Sequence, residues 1–188
     1  MGLPAFQTIG HDFITVEEYL EGEQITEERH EYVNGQVFVM AGASEAHEIV
    51  ALNLSSAILT HLRGKRCRVF MGDMKVRLSL HEKDLFYYPD VMVACDPTDS
   101  ESLYKTRPKL IVEVMSDYKA AHVEKLFAYQ QIETLEEYLV VDQDPKHPQA
   151  WLYRKDRKWS VSNGAPEGTI HLESIGFTHG LKELYVME

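Results

Sequence analysis

Two apolar segments that each carry one acidic residue constrain the fold of this chain most strongly. Residues 87–94 and 109–115 are rich in Val and Ile on both sides, a pattern that suits strands in a sheet covered on both faces. Asp90 stands where the apolar part of the first segment begins, and Glu113 lies inside the second. A buried carboxylate is unfavourable unless it is paired or bound to a metal ion, so both acids need a partner.

Helix signals occur at three places along the chain. Thr15 followed by Glu18 is a capping-box pattern that opens a short helix. Apolar residues at three- and four-residue steps predict a long helix that begins at Ser44 and is stopped by Gly64. A third helix is predicted over roughly residues 120–131, and its core-facing side is predicted to carry Val123, Leu126, Phe127 and Gln130.

Strand signals fill the rest of the chain. Asn34 followed by Gly35 between apolar runs predicts a tight hairpin, because both positions accept positive φ. Further strands are predicted at residues 66–70, 75–80, 137–142, 150–154, 159–161 and 169–172, with a last short helix near 181–184. The pattern indicates an α/β fold with a mixed central sheet flanked by helices and additional antiparallel strands at both ends. No linker or repeat divides the 188 residues, so one domain over residues 1–188 is predicted.

The composition favours a soluble globular protein, with 44% apolar and 26% charged residues. No apolar run approaches the roughly 20 residues that cross a bilayer, and no secretory signal is visible at the N-terminus. No membrane partner is therefore expected. Cys67 and Cys95 form no C-x-x-C motif and lie in apolar contexts. One bridge between them is the alternative, but we expect buried free thiols and a cytoplasmic address.

The charge balance bears on the kind of partner. The net charge is −11, with 30 acidic and 19 basic residues, whereas proteins that bind phosphate backbones usually carry a basic surface. Metal ions at clustered carboxylates would reduce the resulting repulsion of nucleic acid. A local concentration of basic residues also weakens this argument against a nucleic-acid partner. These residues are Arg63, Lys65, Arg66, Arg68, Lys75 and Arg77.

The two strand acids together indicate a metal site. For Asp90 or Glu113 alone, the alternative is a strand-end acid that reaches solvent or pairs with Arg or Lys. On neighbouring strands, however, the two carboxylates would repel each other unless a cation lay between them. Hard oxygen ligands select Mg²⁺ or Mn²⁺. The chain has no H-E-x-x-H or C-x-x-C zinc spacing, no P-loop and no G-x-G-x-x-G motif.

An ordered set of segments carries a family resemblance from about Thr15 to Asp142 and beyond. The segments are EYVNGQVFVMAGAS at 31–44, then His47, CRVF at 67–70, DMKVR at 73–77, YPDV at 88–91, PKLIVEVMS at 108–116, KLFAY at 125–129 and LEEYLVVD at 135–142. In this order and spacing the sequence resembles the Uma-two family of restriction-endonuclease-like proteins.

The resemblance implies a PD-(D/E)XK core with a sheet that carries Asp90 and Glu113. These carboxylates would hold one or two metal ions, with the Val114 carbonyl as a third oxygen. Such nucleases usually place a lysine two residues after the glutamate, but that position is Met115 here. The resemblance moves the lysine role to the following helix, at Lys125. The alternative for Lys125 is a solvated helix lysine.

Three further residues match recurrent family positions. Glu31 matches an acid that such folds contribute to the metal site, although a surface acid before a hairpin is the alternative. His47 would orient a phosphate or a metal-bound water, or would simply cap or pack the helix that follows Ser44. Asp73 matches a recurrent family acid, with a turn residue as the alternative.

The segment after Ser116 departs from the family pattern. The family commonly continues with Pro-Ser-Thr and later carries an Asp-Arg pair before the lysine. Here the connection is two residues shorter, and the Asp-Arg positions fall on Ala121 and His122. A shorter connection would displace Lys125, leave Lys119 to act instead, or remove activity.

The resemblance implies a Mg²⁺-dependent endodeoxyribonuclease that hydrolyses DNA phosphodiester bonds, with Mn²⁺ as a substitute metal and Asp90, Glu113, Lys125 and Glu31 as the catalytic set. A homodimer is also implied, since many such enzymes cut two strands as dimers. Two alternatives stay open. The first is a catalytically inactive nuclease fold that serves as a binding or assembly module, which the acidic charge favours. The second is an enzyme for a small phosphorylated substrate.

Overall fold

The computed structural model describes residues 13–115 and 120–186, with the backbone alone for residues 120–122. Its α-helices are Val16–Gly22 (α1), Glu45–Leu62 (α2) and Ala120–Tyr129 (α3). Its strands are β1 (His30–Val33), β2 (Gln36–Val39), β3 (Arg68–Met71), β4 (Lys75–Leu80), β5 (Lys83–Tyr87), β6 (Val91–Ala94), β7 (Tyr104–Lys105), β8 (Pro108–Met115), β9 (Glu137–Asp142), β10 (Ala150–Arg154), β11 (Val161–Asn163), β12 (Thr169–Leu172) and β13 (Phe177–Gly180).

The strands form three sheets. A six-stranded sheet has the order β11-β10-β9-β8-β6-β3, and only its β8–β9 pair is parallel among its ladders. A five-stranded sheet has the order β2-β1-β5-β4-β7, and β12 pairs with β13 in a two-stranded ribbon. The mixed α/β fold with antiparallel strands at both ends is therefore confirmed.

The sheets and helices pack in layers. One face of the six-stranded sheet packs against α2 through residues such as Leu54 and Ile58. Its other face packs against α3 and the five-stranded sheet, where Tyr129 and Tyr138 are fully buried. The far face of the five-stranded sheet is covered by α1 through Tyr19. The six-stranded sheet is thus covered on both faces, as its continuous apolar strands predict.

The local signals at the N-terminal end are confirmed. The Thr15 side chain accepts the Glu18 amide while the Glu18 carboxylate accepts the Thr15 amide, which is a complete capping box. Asn34 and Gly35 join β1 to β2 with φ of 46° and 88°. Ser44 caps α2 by accepting the His47 amide at 3.2 Å. These contacts fix the ends of the elements that carry Glu31 and His47.

The hairpin formed by β4 and β5 was not predicted from the sequence. Residues 87–94 are not a single strand, because β5 ends at Tyr87 and β6 begins only at Val91. β5 instead pairs with β4 through a two-residue turn at His81 and Glu82, whose φ values are 49° and 63°. A turn of this type usually contains Asn or Gly, and neither occurs here.

The expectation of free thiols is wrong, because Cys67 and Cys95 form a disulfide and both are half-buried. The cause lies in the register of β3 and β6. Arg68 pairs with Ala94, so the next positions along the antiparallel ladder bring the two cysteines opposite each other, with a Cα–Cα distance of 4.0 Å. That register cannot be deduced from the cysteine spacing alone.

The prediction of which side of α3 faces the core is also partly wrong. Val123 and Phe127 are exposed, while Leu126 packs against the core and Ala128 and Tyr129 are buried. The helix therefore turns the Tyr129 side, rather than the Phe127 side, toward the sheet. No helix in the described ranges is long and apolar enough to cross a membrane.

Candidate active site

Asp90 directly precedes β6, and Glu113 lies on the neighbouring strand β8 of the six-stranded sheet. Val91 of β6 pairs with Val112 of β8, so the next position along the antiparallel ladder sets Asp90 opposite Glu113. Ile111, two residues before Glu113, faces the core on the α3 side. Because side chains alternate along a strand, Glu113 faces that side as well. The ladder register thus brings the two acids to neighbouring positions, and a shared metal ion between them stays a prediction.

Asp90 is held by contacts from two sides. Its Oδ2 accepts the Val114 amide at 2.7 Å and lies 3.1 Å from His47 Nε2. The hydrogen bond with Asp90 is the main cause that raises the pKa of His47, and burial opposes it. His47 Nδ1 is buried and has no hydrogen-bond partner among the described residues. The N-terminal end of α2 therefore fixes the Asp90 carboxylate.

Lys125 joins acids from two different sheets. Its Nζ lies 2.9 Å from Glu31 Oε1 and 3.3 Å from Glu113 Oε1. Glu31 projects from β1 of the five-stranded sheet and is only 3% exposed, so it is not a surface acid. Burial alone would favour neutral Lys125, but Glu113 and Glu31 raise the pKa of Lys125 above its ordinary value. Lys125 is therefore a paired ammonium whose side chain is only 16% exposed, rather than a solvated helix lysine.

Tyr129 adds a contact that the sequence analysis did not assign. Its hydroxyl donates to Glu113 Oε1 at 2.8 Å, and its ring packs edge-on against Tyr87 and Tyr138. Tyr129 lies one helical turn after Lys125, so both side chains reach the same carboxylate. The only signal in the sequence was this shared helix face.

Burial controls the charge of Glu113. Burial, with smaller contributions from Asp90 and Glu31, raises the pKa of Glu113 to about 7, although Lys125 opposes the rise. The Tyr129 hydroxyl lowers it. The opposing effects show that Asp90, Glu31, Glu113 and Lys125 interact as one electrostatic cluster, which we call the acid–lysine cluster.

A cleft of about 800 Å³ opens onto this cluster at Asp90. Val114, Met115 and His47 form part of its wall, and Ser44 donates to Gln143 at 3.0 Å at its rim. The rim is mainly acidic, and it includes Glu27, Glu28, Glu48 and Asp73 beside the single cation Arg29.

The donor set fits a hard divalent cation. Asp90 and Glu113 supply carboxylate oxygens on adjacent strands, and Mg²⁺ prefers such ligands together with water. No group of three or more His, Cys, Asp or Glu side chains is arranged to hold a metal within the described ranges. A site here would therefore need the predicted Val114 carbonyl or water to complete it. Val114 contacts Asp90 through its backbone amide, which donates a hydrogen bond to Asp90 Oδ2.

The remaining predicted residues are distributed over the molecule. Asp73 is an exposed acid that pairs with Arg29 at 3.1 Å, in agreement with the turn alternative. Lys119 and Ser116 lie outside the described residues. The basic residues 63–77 do not form one surface, because Lys75 is buried and Arg77 pairs with Asp84 at 3.0 Å.

Comparison with known proteins places the chain in a family. Residues 16–182 match the Uma2 family, described as "Putative restriction endonuclease". The chain is 31% identical over 175 residues to "Uncharacterized protein slr1290" of Synechocystis sp. (strain ATCC 27184 / PCC 6803 / Kazusa), covering 92% of this chain and 91% of that protein. It is 33% identical over 154 residues to "Uncharacterized protein sll1609" of the same organism, covering 79% and 86%.

A solved structure shares the fold. The crystal structure of a "putative nuclease belonging to DUF820" from Anabaena variabilis ATCC 29413 superposes with a TM-score of 0.67 at 18% sequence identity, covering 92% of this chain and 97% of that one. At this identity the likeness concerns the fold alone. The family match extends over most of the sequence, and the fold agrees with it. The chain belongs to the Uma2 family of restriction-endonuclease-like proteins.

Proposed function

We propose that this protein is a metal-dependent endonuclease of the PD-(D/E)XK type that hydrolyses DNA phosphodiester bonds. The observation that carries the proposal is the acid–lysine cluster, in which Lys125 reaches Glu113 directly across from Asp90. Two buried acids, Glu31 and Glu113, that share one lysine favour a catalytic role over a scaffold, since buried ion pairs seldom stabilise a fold more than apolar residues do.

Asp90 and Glu113 would hold Mg²⁺, or Mn²⁺ in its place, with the Val114 carbonyl as a third oxygen. When bound, the metal would polarise the scissile phosphate, help to ionise the attacking water and stabilise the leaving oxygen. The Val114 amide and His47 keep Asp90 oriented for this task. Tyr129 does the same for Glu113.

Lys125 takes the place of the lysine that would otherwise follow Glu113 by two residues. Because its pKa is raised, Lys125 is protonated at neutral pH in the metal-free site. It would therefore orient a water or phosphate oxygen by donating hydrogen bonds. Its attachment to Glu31 holds the ammonium beside Glu113, which compensates for the methionine at position 115.

The charge of the cleft supports the second candidate, an inactive nuclease fold that serves as a binding or assembly module. Four acids line the rim beside Arg29, and the net charge of the chain is −11. A polyanion would approach such a surface only with metal ions present, or not at all. The two candidates therefore differ in whether the cluster binds divalent metal.

Two further expectations belong to this proposal. A homodimer would allow two strands to be cut, and a cytoplasmic address would give access to DNA. The disulfide weighs against a reducing compartment, since such bonds are rare in the cytosol. Trapping the thiols in fresh lysate with an alkylating reagent would show whether Cys67 and Cys95 are oxidised in the cell.

Thermal unfolding with and without Mn²⁺ tests the proposal. A ligand that binds only the folded state stabilises it by RT ln(1 + [L]/Kd), which is about 2.7 kcal/mol at a hundredfold excess over Kd. We expect Mn²⁺ to stabilise the wild type and to have no effect on Asp90→Asn. Equal responses of the two proteins would place metal binding elsewhere, and the absence of any response would favour the binding module.

A further inference from the structure

A second buried carboxylate, Glu23, lies close to the acid–lysine cluster but outside it. Glu23 caps the C-terminal end of α1, and its side chain is only 3% exposed. Its carboxylate lies 2.8 Å from His30 Nδ1 and accepts the His30 amide at 3.3 Å. It also accepts the Tyr88 hydroxyl. The oxygens of Glu23 thus bind one residue seven positions away, His30, and one 65 positions away, Tyr88.

These two partners flank the acids of the proposed site. His30 directly precedes Glu31 in β1, and Tyr88 stands two residues before Asp90. The Tyr88 amide also lies 3.5 Å from Glu31 Oε1. Glu23 therefore connects β1, which carries Glu31, to the short segment between β5 and β6 that carries Asp90.

The simplest alternative is that Glu23 only docks α1 onto the sheet. That task is already served by Tyr19, whose ring packs on Tyr32 and Phe86 and whose hydroxyl donates to the His30 carbonyl at 2.6 Å. A single apolar residue at position 23 would dock the helix without a buried charge, and burying a carboxylate is unfavourable unless its hydrogen bonds are satisfied. The Tyr88 contact also ties Glu23 to the segment that carries Asp90, which docking of α1 does not require.

We propose that Glu23 is a positioning residue that acts through Tyr88 and His30 to hold Asp90 and Glu31 in their places before metal binds. The predicted effect on metal affinity rests on the proposed function. The predicted effect on the position of Asp90 does not, because it can be measured without metal. Groups that orient metal ligands typically change metal affinity 10- to 100-fold when they are removed.

Tyr88→Phe tests the proposal, and Tyr32→Phe is its matched control. Each change removes one hydroxyl from a buried tyrosine, but only Tyr88→Phe cuts the connection from Glu23 to the Asp90 segment, since the Tyr32 hydroxyl donates to the Ile14 carbonyl. The Val114 amide provides a metal-free measure, because it donates to Asp90 Oδ2 and exchanges with solvent only when that contact opens. The second measure is the Kd for Mn²⁺ by calorimetry.

We expect Tyr88→Phe to accelerate Val114 exchange and to raise the Mn²⁺ Kd by about tenfold. Tyr32→Phe should lower the melting temperature and leave both quantities near the wild-type values. If Tyr88→Phe fails to fold, Glu23→Leu replaces it, because a leucine side chain has no oxygen to accept from Tyr88 or His30. Unchanged Val114 exchange in the folded variant would overturn the proposal.

The outcomes also separate this inference from the proposed function. If the wild type binds no Mn²⁺ while Tyr88→Phe still accelerates Val114 exchange, the nuclease proposal fails and the positioning role of Glu23 is supported. If the wild type binds Mn²⁺ with an affinity that Tyr88→Phe does not change, the proposed function is supported and the positioning role is overturned.

Discussion

The Lys125 ammonium lies 2.9 Å from a Glu31 carboxylate oxygen, although Lys125 belongs to α3 and Glu31 to a strand of the five-stranded sheet. Since Lys125 also contacts Glu113, it links an acid of the five-stranded sheet to an acid of the six-stranded sheet. These contacts also mean that the cation of the proposed site is fixed by the fold before any substrate or metal binds. The consequences can be measured by removing each partner in turn.

Lys125→Met should destabilise the protein as well as abolish cleavage. Removing one partner of a buried ion pair typically costs about 3–5 kcal/mol, because Glu31 and Glu113 would be left without compensation. The loss in unfolding free energy, measured by urea denaturation, should be larger at pH 8 than at pH 5, where Glu113 is protonated. Lys109→Met is the control, since Lys109 pairs with the exposed Glu136 and should cost below about 1 kcal/mol.

The cleavage activities of two lysine variants test whether Lys125 or Lys119 is the catalytic lysine. Lys119→Ala should retain metal-dependent cleavage, while Lys125→Met should lose it. To separate catalysis from stability, both variants should be assayed at a temperature well below the melting point of the weaker one. Cleavage that survives in Lys125→Met but vanishes in Lys119→Ala would contradict the assignment.

Glu113 should make the stability depend on pH. Burial raises the pKa of Glu113 to about 7, above the ordinary value of 4.5, so the folded state binds its proton more tightly than the unfolded state does. The stabilising contribution of this proton is complete below about pH 4.5 and is lost as the pH rises through about 7. The stability of Glu113→Gln relative to the wild type should therefore increase over that interval. A constant difference would show that Glu113 titrates normally.

Tyr129→Phe should raise the pKa of Glu113 further, because the hydroxyl stabilises the charged carboxylate. The change can be followed by carbon NMR of the labelled glutamate side chains in metal-free protein. Tyr32→Phe is the control, since the Tyr32 hydroxyl donates to the Ile14 carbonyl on the α1 side. An unchanged Glu113 titration in Tyr129→Phe would remove Tyr129 from the site.

The disulfide should contribute measurably to stability. It closes a segment with a sequence separation of 28 between Cys67 and Cys95, for which the chain-entropy model gives about 3–4 kcal/mol. A thiol reductant should lower the melting temperature of the wild type. It should have no effect on the double variant Cys67→Ser/Cys95→Ser, and equal responses of the two proteins would contradict the bridge.

The parts of the fold that follow from local pattern could be predicted from the sequence. The strands at 75–80, 137–142 and 150–154 have the predicted bounds because apolar continuity and β-branched residues mark them directly. The β4–β5 hairpin could not be predicted, because His81 and Glu82 adopt positive φ without a residue that signals it. The disulfide depends on the register of β3 against β6, which only the folded sheet defines.

The site, like the fold, could be predicted from the sequence only in part. Asp90 and Glu113 stand out as acids on apolar strands, and Lys125 and Glu31 were assigned by resemblance. Their direct contact depends on how two sheets and α3 meet, which no spacing in the sequence encodes. Tyr129 and Glu23 were not assigned because their partners are distant in the chain and their own neighbours carry no unusual pattern.

Cleavage of DNA is the most direct test of the central claim. The wild type should be incubated with single-stranded, duplex and branched DNA in Mg²⁺ or Mn²⁺, beside Asp90→Asn and a chelator control. We predict that the wild type cuts at least one substrate, and that cutting is lost with the chelator and in Asp90→Asn. If the folded wild type cuts none of these substrates with either metal, or if Asp90→Asn cuts equally well, the nuclease assignment is contradicted.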